Sequence, residues 1–297
     1  MIFDKFVAID WSGAKGKNHK GICLAINKFS SRSIELVKSK NKNWSREEII
    51  KFIINLSTKS KILVGIDFAF SHPYKDKGSY YPEGPKNQPR TSKQLWKKID
   101  QLSMLAEDFY GGELWKNPIY GEYYNSPFKK GHHFLSRRRL TEIYAKKVLT
   151  PSSSFNCVGP SGVGTGSLSG MRVLNYLKSN LNNAICVWPF EKSPFYESSR
   201  IVIVEIFPSF YYHYAGFSSI NKIGREKSLL RNVLKFYNSK YEGFLNNNTK
   251  DNDDMDAIIS CAALRYFNEK DFLNKLYNHS NLKPYFSKEG WIFGVEL

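Results

Sequence analysis

Two aspartates near the start of the chain each lie at the end of an apolar segment or within one. Asp10 closes KFVAID, and Asp67 lies inside KILVGIDFAF. A carboxylate that is buried without a partner is costly, so Asp67 is expected to face a cation or another polar group. An aspartate at a strand end is also a common turn former, and this alternative stays open for Asp10, which precedes Trp-Ser-Gly.

A second group of acids opens the last amphipathic helix. Asp253 and Asp256 lie three residues apart at the start of DDMDAIISCAALRYF, and this spacing places both on one helical face, one turn apart. The helix macrodipole also favours acids at a helix start, which is the better explanation for Asp254. It explains Asp256 less well, because Asp256 borders the apolar run that begins at Ala257.

Carboxylate oxygens are the ligands that hard divalent cations prefer. Two such ions, held by several carboxylates, can align the attacking water and the leaving oxygen of a phosphodiester. The acids therefore predict Mg²⁺ or Mn²⁺ as the cofactor. Asp10, Asp67 and Asp256 are the main predicted ligands, with Asp253 or Glu205 assisting.

The segments around these acids predict the elements that position them. Three apolar segments joined by short polar links indicate a meander: residues 5–11, 21–27 and 33–37. A capping box at Ser45 opens a helix, and residues 61–70 then form a strand that is apolar on both faces. A helical crossover places this fourth strand parallel and close to the first, so Asp10 and Asp67 should face each other.

The remaining pattern indicates an α/β domain that spans residues 1–297 and contains a large insertion at 71–135. The insertion has too little periodic apolar content for a core of its own. Its aromatic residues, interleaved with lysines, suit either stacking on single-stranded nucleic acid or a small packed insertion. They are Tyr80, Tyr81, Tyr120, Tyr123, Tyr124 and Phe128.

Three further motifs have both a functional and a structural interpretation. Glu205, in IVIVEIFPS, is either another metal ligand or the partner of a basic group such as an arginine. The triplet Arg137, Arg138 and Arg139 either contacts phosphates or forms a solvated helix face. The glycine-rich segment 151–172, predicted to be a loop, either cradles a phosphate or packs beside the site. Its predicted substrate-binding residues are Gly164, Thr165 and Ser167.

The overall composition favours a phosphate-rich partner. The formal charge is +17 and the pI is about 9.5, which suits contact with DNA or RNA, although a codon bias toward lysine is an alternative. The four cysteines contain no CxxC pair, so neither a zinc site nor a disulfide framework is expected. No apolar run has the length of a membrane span, and the start of the chain indicates a strand and not a signal peptide. A cytoplasmic protein is expected, and its oligomeric state is not indicated.

Segments along nearly the whole chain resemble the family of predicted RNase H-like nucleases (domain of unknown function 429). They are FVAIDWSGA, ILVGIDFAF, SGVGTGSLSGM, VWPFE, IVIVEIFPS, DMDAIISCAALRYF and EGWIFGV. The resemblance implies an RNase H-like mixed sheet, in which a three-stranded meander is followed by parallel strands with helices on both faces. It also implies a metal-dependent hydrolase, and it marks the E-x-x-P segment at Glu205 as a signature.

RuvC-type junction resolvases are more distantly similar. They combine an acid on strand one, an acid on strand four and a D-x-x-D-A pair that opens the last helix, which are the places of Asp10, Asp67, Asp253 and Asp256. Their strand-four acid is usually glutamate, whereas the shorter Asp67 stands here, which alters the reach to a metal ion.

The residues and the resemblance together predict a metal-dependent phosphodiester hydrolase, a nuclease of DNA or RNA. One alternative is a non-catalytic nucleic-acid or protein-binding module on the same fold. Another is an actin-like or sugar-kinase-like ATPase. The ATPase is disfavoured because it needs two such domains and a second D-x-G phosphate loop, and the sequence indicates one domain without that loop.

Overall fold

A mixed sheet lies at the centre of the computed structural model, which describes residues 3–159, 162–191, 195–219, 226–245 and 253–297. Within these residues the sheet has six strands in the order β3-β2-β1-β4-β6-β5. The strands are β1 (Lys5–Asp10), β2 (Cys23–Lys28), β3 (Ile34–Val37), β4 (Ile62–Ile66), β5 (Ile185–Val187) and β6 (Ile201–Glu205).

The first half of the sheet has the predicted topology. β1, β2 and β3 form an antiparallel meander, and β4 pairs in parallel with β1. The helix between β3 and β4 makes this parallel return possible, because parallel neighbours need a crossover. β6 then adds in parallel to β4, and β5 adds in parallel to the outer side of β6.

Helices cover the sheet and begin and end close to the sequence signals. The predicted capping box at the start of α1 is present, with Ser45 and Glu48 each bonding the backbone of the other. No helix in the described ranges is long and apolar enough to cross a membrane. The α-helices are α1 (Arg46–Ser57), α2 (Ser92–Leu102), α3 (Leu140–Ala145), α4 (Gly164–Leu181), α5 (Phe195–Ser198), α6 (Pro208–Tyr214), α7 (Glu226–Phe236), α8 (Asp253–Glu269), α9 (Phe272–Lys275) and α10 (Lys283–Glu289).

Alternating residues of β1 supply two different hydrophobic cores. Phe6 and Ala8 pack into the core on the side of α6, α7 and α8. Val7 and Ile9 pack into the core on the side of α1, α2 and α4. Successive strand residues point to opposite faces, so the sheet is buried on both sides. The same alternation directs Asp10, the next residue, toward the α8 side.

Residues 71–135 pack against the sheet and share its second core. They contain α2 and three short 3₁₀ helices, Glu107–Phe109, Gly112–Lys116 and Tyr120–Tyr123. Five of the six aromatic residues named for stacking are buried in the same core as Val7 and Ile9. Phe128 is the exception, with 67% of its surface exposed. This placement favours the packed-insertion interpretation, because these five rings pack into the core that covers the sheet.

The glycine-rich segment is helical over much of its length, which corrects the prediction of a loop through residue 172. α4 begins at Gly164; residues 160 and 161 lie outside the described part of the chain. The reason is packing: a Cβ on Gly170 would lie 2.4 Å from the ring of Phe68. Glycine here lets a helix approach an aromatic side chain that follows β4, and this benefit exceeds its low helix propensity.

Candidate metal centre and adjoining cleft

Asp10 and Asp67 leave adjacent parallel strands at the same edge of the sheet. β1 and β4 run in register up to Ile9 and Ile66, so the aspartates that follow are neighbours. The Asp67 N–H donates to the Ile9 carbonyl at 3.0 Å and extends the ladder by one step. Asp10 is buried and Asp67 is half-buried. The strand pairing predicted for these carboxylates is therefore present.

The N-terminal turn of α8 reaches the same edge of the sheet. Tyr212 of α6 is buried beside it, where the charges of both Asp256 and Asp10 act on its hydroxyl. Burial raises the pKa of Tyr212 well above its usual value, and the negative charges of Asp256 and Asp10 raise it further. One hydroxyl is thus close to an acid of β1 and an acid of α8.

Cys23 marks a second meeting point of the acids. It is the partner of Asp10 in the β1–β2 ladder, and its thiol donates to Asp254 Oδ1 at 3.2 Å. Burial raises the pKa of the Cys23 thiol, and the charges of Asp254, Asp10 and Asp253 add to the rise. Asp254, interpreted from the sequence as a helix-start acid, is therefore also the acceptor for a thiol.

The acids converge on one edge of the sheet, but their side chains do not form a ready-made metal cluster. Across the ranges that the structure describes, no three His, Cys, Asp or Glu side chains are grouped so that they could hold a metal ion. Their carboxylate oxygens nevertheless have the donor chemistry of a Mg²⁺ or Mn²⁺ site. The ligand roles of Asp10, Asp67, Asp253 and Asp256 stay a prediction.

Glu205 is the partner of a buried arginine, as one of its two interpretations predicts. Arg139 Nη1 donates to Glu205 Oε2 at 2.7 Å, and the Phe70 N–H donates to the same oxygen at 3.0 Å. Arg139 also donates from Nε to Glu142 Oε1 at 2.8 Å. Burial lowers the pKa of Arg139, but the charges of Glu205 and Glu142 outweigh this effect and raise it. The geometry favours a structural role for Glu205 beside the acids.

The three consecutive arginines have different surroundings. Arg137 is buried and donates to Asp76 and to three backbone carbonyls between residues 73 and 80. Arg139 is occupied by two carboxylates. Arg138 is half-exposed and donates to the Ser136 hydroxyl at 3.1 Å. These contacts favour structural roles for Arg137 and Arg139, so a phosphate contact stays a prediction chiefly for Arg138.

The start of α4 contains the three residues predicted to bind substrate, and they also differ. Ser167 is buried, donates to the Val163 carbonyl and accepts from the Ala69 N–H. The Gly164 N–H donates to the Asn156 carbonyl at 2.8 Å. Thr165 is half-buried and lines an open cleft. Of the three, Thr165 is placed to meet a ligand.

The loop after β1 packs directly on the start of α4. Trp11 Nε1 donates to the Gly166 carbonyl at 3.2 Å. A Cβ on Gly13 would lie 2.4 Å from the Gly166 nitrogen and 2.8 Å from the Thr165 carbonyl carbon. Only glycine permits this approach of two backbones. The Trp-Ser-Gly sequence after Asp10 is therefore explained by this contact.

A buried ionic network that the sequence did not reveal holds the same loop. Arg46, the first residue of α1, is fully buried and donates from Nη2 to the carbonyls of Ser12 at 2.7 Å and Ala14 at 2.8 Å. Its Nη1 donates to the Asp108 carbonyl at 2.9 Å. Arg46 thus ties the segment after Asp10 to the insertion. In the sequence, Arg46 is simply the residue that follows the capping serine, Ser45, and nothing marks it as part of a network.

Asp108 completes this network from the insertion side. Its carboxylate accepts from the N–H groups of Arg46 and Glu47, so it also caps α1. His19 Nε2 lies 2.7 Å from Asp108 Oδ2 and carries the proton, since an ionised carboxylate only accepts. Burial alone would raise the pKa of Asp108, but the bonds from His19 and these N–H groups hold it below its usual value.

A cleft of about 510 Å³ opens beside Asp67. Its lining includes the aromatic side chains of Trp11, Tyr110 and Trp115. Thr165 and Gly166, at the start of α4, line it as well, and Lys15 lies at its exposed side. The Arg139–Glu205–Glu142 group forms another part of the lining. The volume is that of a typical small-molecule pocket.

Comparisons of the chain with protein-family models, with curated proteins and with solved structures gave no match.

Proposed function

We propose that the protein is a metal-dependent phosphodiester hydrolase with an RNase H-like core, acting on nucleic acid. The observation that carries the proposal is the meeting of acids from three elements at one sheet edge. Asp10 and Asp67 follow paired parallel strands, and the charges of Asp256 and Asp10 both act on the buried Tyr212. Such a concentration of negative charge suits divalent cations.

The order of elements supports the RNase H-like part of the proposal. A three-stranded meander, a crossover helix and a parallel fourth strand supply the first two acids, and a late helix that packs on β1 and β2 supplies the others. This is the arrangement that the resemblance to the predicted RNase H-like nucleases implies. β6 and β5 extend the parallel half of the sheet beyond β4.

The protein's own groups have distinct tasks in this hydrolysis. Asp10, Asp67 and Asp256 would hold the metal ion, and Asp253 would assist. Mg²⁺ or Mn²⁺, when bound there, would supply Lewis-acid chemistry. The buried Tyr212 lies close to Asp256 and Asp10, whose charges act on its hydroxyl. The formal charge of +17 draws a polyanion toward the molecule.

The test is a nuclease assay with labelled single-stranded DNA and RNA in Mn²⁺. We expect cleavage by the wild type, and D10N, D67N and D256N should each lose more than the roughly 10–100-fold that follows from mutating an outer-shell partner. D4N is the matched control, because Asp4 is exposed and lies just before β1, at the end of the strand far from Asp10. Cleavage that persists in D10N and D67N shows the assignment to be wrong.

Thermal unfolding with added Mn²⁺ separates the hydrolase from a binding module on the same fold. A ligand present at about 100 times its Kd stabilises the folded state by about 2.7 kcal/mol. We expect this stabilisation in the wild type and in D4N, and its loss in D10N. A protein that binds nucleic acid equally well as wild type and as D10N, without stabilisation by Mn²⁺, is the non-catalytic module.

A further inference from the structure

The cleft beside Asp67 has a lining whose charges are largely compensated among themselves. Arg139 pairs with Glu205 and Glu142, and all three side chains are at least 96% buried. The other charged residues of the lining are Asp67 and Lys15. With two cations against three carboxylates, the cleft as a whole carries no excess of positive charge. A phosphate is therefore not the group that its interior attracts.

The rest of the lining suits a flat, uncharged ring. The half-buried Tyr110 lines the cleft together with the largely buried Trp11 and Trp115, and Phe68 and Phe207 add apolar surface. Tyr110 is half-buried and its ring packs 6.3 Å from that of Trp115, edge to face. Aromatic walls bind nucleobases by stacking regardless of base identity. The volume of about 510 Å³ accommodates one such unit and not a duplex.

Among the described residues that line the cleft, Lys15 is the cation that makes no ion pair with a carboxylate. Lys15 is exposed, and its ammonium group lies 5.9 Å from the centre of the Tyr110 ring. A base held against Tyr110 would thus have its own phosphate close to Lys15, while Asp67 stands on the side of the metal site.

We propose that this cleft is a base-binding subsite, so that the protein acts on single-stranded or unpaired nucleic acid and not on continuous duplex. The proposal rests on the proposed function for the meaning of Asp67. A paired base must leave its stack before it can enter such a cleft, which costs a few kcal/mol. That cost converts to a preference of at least about 30-fold for single strands over the matched duplex.

Binding experiments test the subsite without requiring cleavage. The probe is a fluorescent 12-nucleotide single strand, followed by anisotropy in the presence of EDTA, alone or annealed to its complement. We expect at least 30-fold weaker binding of the duplex. Adenosine should compete with the single strand, and ribose 5-phosphate should not, because the interior selects the ring and not the phosphate. The proposal is overturned if the single strand and the duplex bind equally well. It is also overturned if ribose 5-phosphate competes and adenosine does not.

Matched variants assign the effect to the cleft. Y110A should weaken single-strand binding about 10-fold, while Y110F, which keeps the ring, should not; stacking on one ring is worth about 1–3 kcal/mol. K15A should weaken binding, and K17A should not, because Lys17 is paired with Glu107 at 3.3 Å. Circular dichroism checks the fold of Y110A, and the Lys15 and Lys17 pair remains decisive if that variant is unfolded.

The cleavage assay in Mn²⁺ keeps the two proposals apart. If the binding preferences hold and no cleavage occurs, the hydrolase is wrong and the subsite stands. If cleavage depends on Asp10 but duplex is cut as readily as single strand and Y110A is normal, the hydrolase stands and the subsite is wrong.

Discussion

Replacing Glu205 by glutamine tests whether this residue holds the fold together or holds a metal ion. Its side chain is 4% exposed, and that of its partner Arg139 is 1% exposed. It accepts two bonds from the guanidinium group and one from the Phe70 N–H. Glutamine keeps one oxygen, but its amide N–H groups would face the N–H groups of Arg139. The substitution therefore removes the negative charge and places one hydrogen-bond donor against another.

Two independent considerations give the size of the effect. Removing one partner of a buried ion pair costs about 3–5 kcal/mol. Two unit charges about 4 Å apart interact by about 4 kcal/mol at an effective dielectric constant near 20. Glu142 remains as a second partner of Arg139, so the lower value applies. We expect the free energy of unfolding of E205Q to fall by about 3 kcal/mol and its Tm to fall by about 6–12 °C.

Urea denaturation and a Mn²⁺ titration measure the two properties in the same preparations. D76N is the control: Asp76 pairs with Arg137, but its side chain is 36% exposed, so we expect a loss of about 1 kcal/mol or less. The double variant R139M/E205L should be less destabilised than E205Q, since no charge is then left unpaired. If E205Q unfolds like the wild type and fails to bind Mn²⁺, Glu205 is a metal ligand and the structural reasoning is refuted.

Three further changes test other parts of the site. D108A leaves Arg46 buried without its carboxylate and removes the cap of α1, so urea denaturation should show a loss of about 3–5 kcal/mol; a loss under 1 kcal/mol would contradict the network. G13A places a Cβ 2.4 Å from the Gly166 nitrogen, and we expect a loss of about 1–3 kcal/mol together with weaker Mn²⁺-dependent cleavage. For the stability loss the control is G166A, whose Cβ would meet no atom closer than 3.7 Å. Burial, with the charges of Arg137 and Arg139, holds the pKa of His72 well below its usual value, so below about pH 6.5 the unfolded chain binds the extra proton and stability falls with pH. Urea titrations from pH 6.5 down to 5.0 should find this fall in the free energy of unfolding in the wild type and not in H72Q.

The elements that carry the acids follow from local patterns in the sequence. Apolar runs define β1 and β4, and the link between them, with its capping box at Ser45, requires a helical crossover. Parallel pairing of β1 and β4 then follows from chain geometry. The acids of α8 follow from a local pattern as well, because an apolar run with helical periodicity comes directly after them. Each of these inferences needs only neighbours in the sequence.

The contacts that fix the site depend on residues far apart in the chain. Arg46 and Asp108 are 62 positions apart, and Arg139 and Glu205 are 66 apart. Nothing in the local pattern distinguishes Arg46 from an ordinary helix-start residue. The start of α4 was missed for a related reason: Gly170 is opposite Phe68, and only the folded structure shows that the glycine is needed there.

The insertion helps to position the site, because it holds the loop that follows Asp10. Asp108 belongs to the insertion, Arg46 to α1, and together they fix the carbonyls of Ser12 and Ala14. The same insertion contributes Tyr110, two residues after Asp108, to the wall of the cleft. A shift of this segment would therefore move the Tyr110 side of the cleft and the loop beside the acids together. We infer that changes in the insertion can alter which substrates enter while the carboxylates at the sheet edge stay the same.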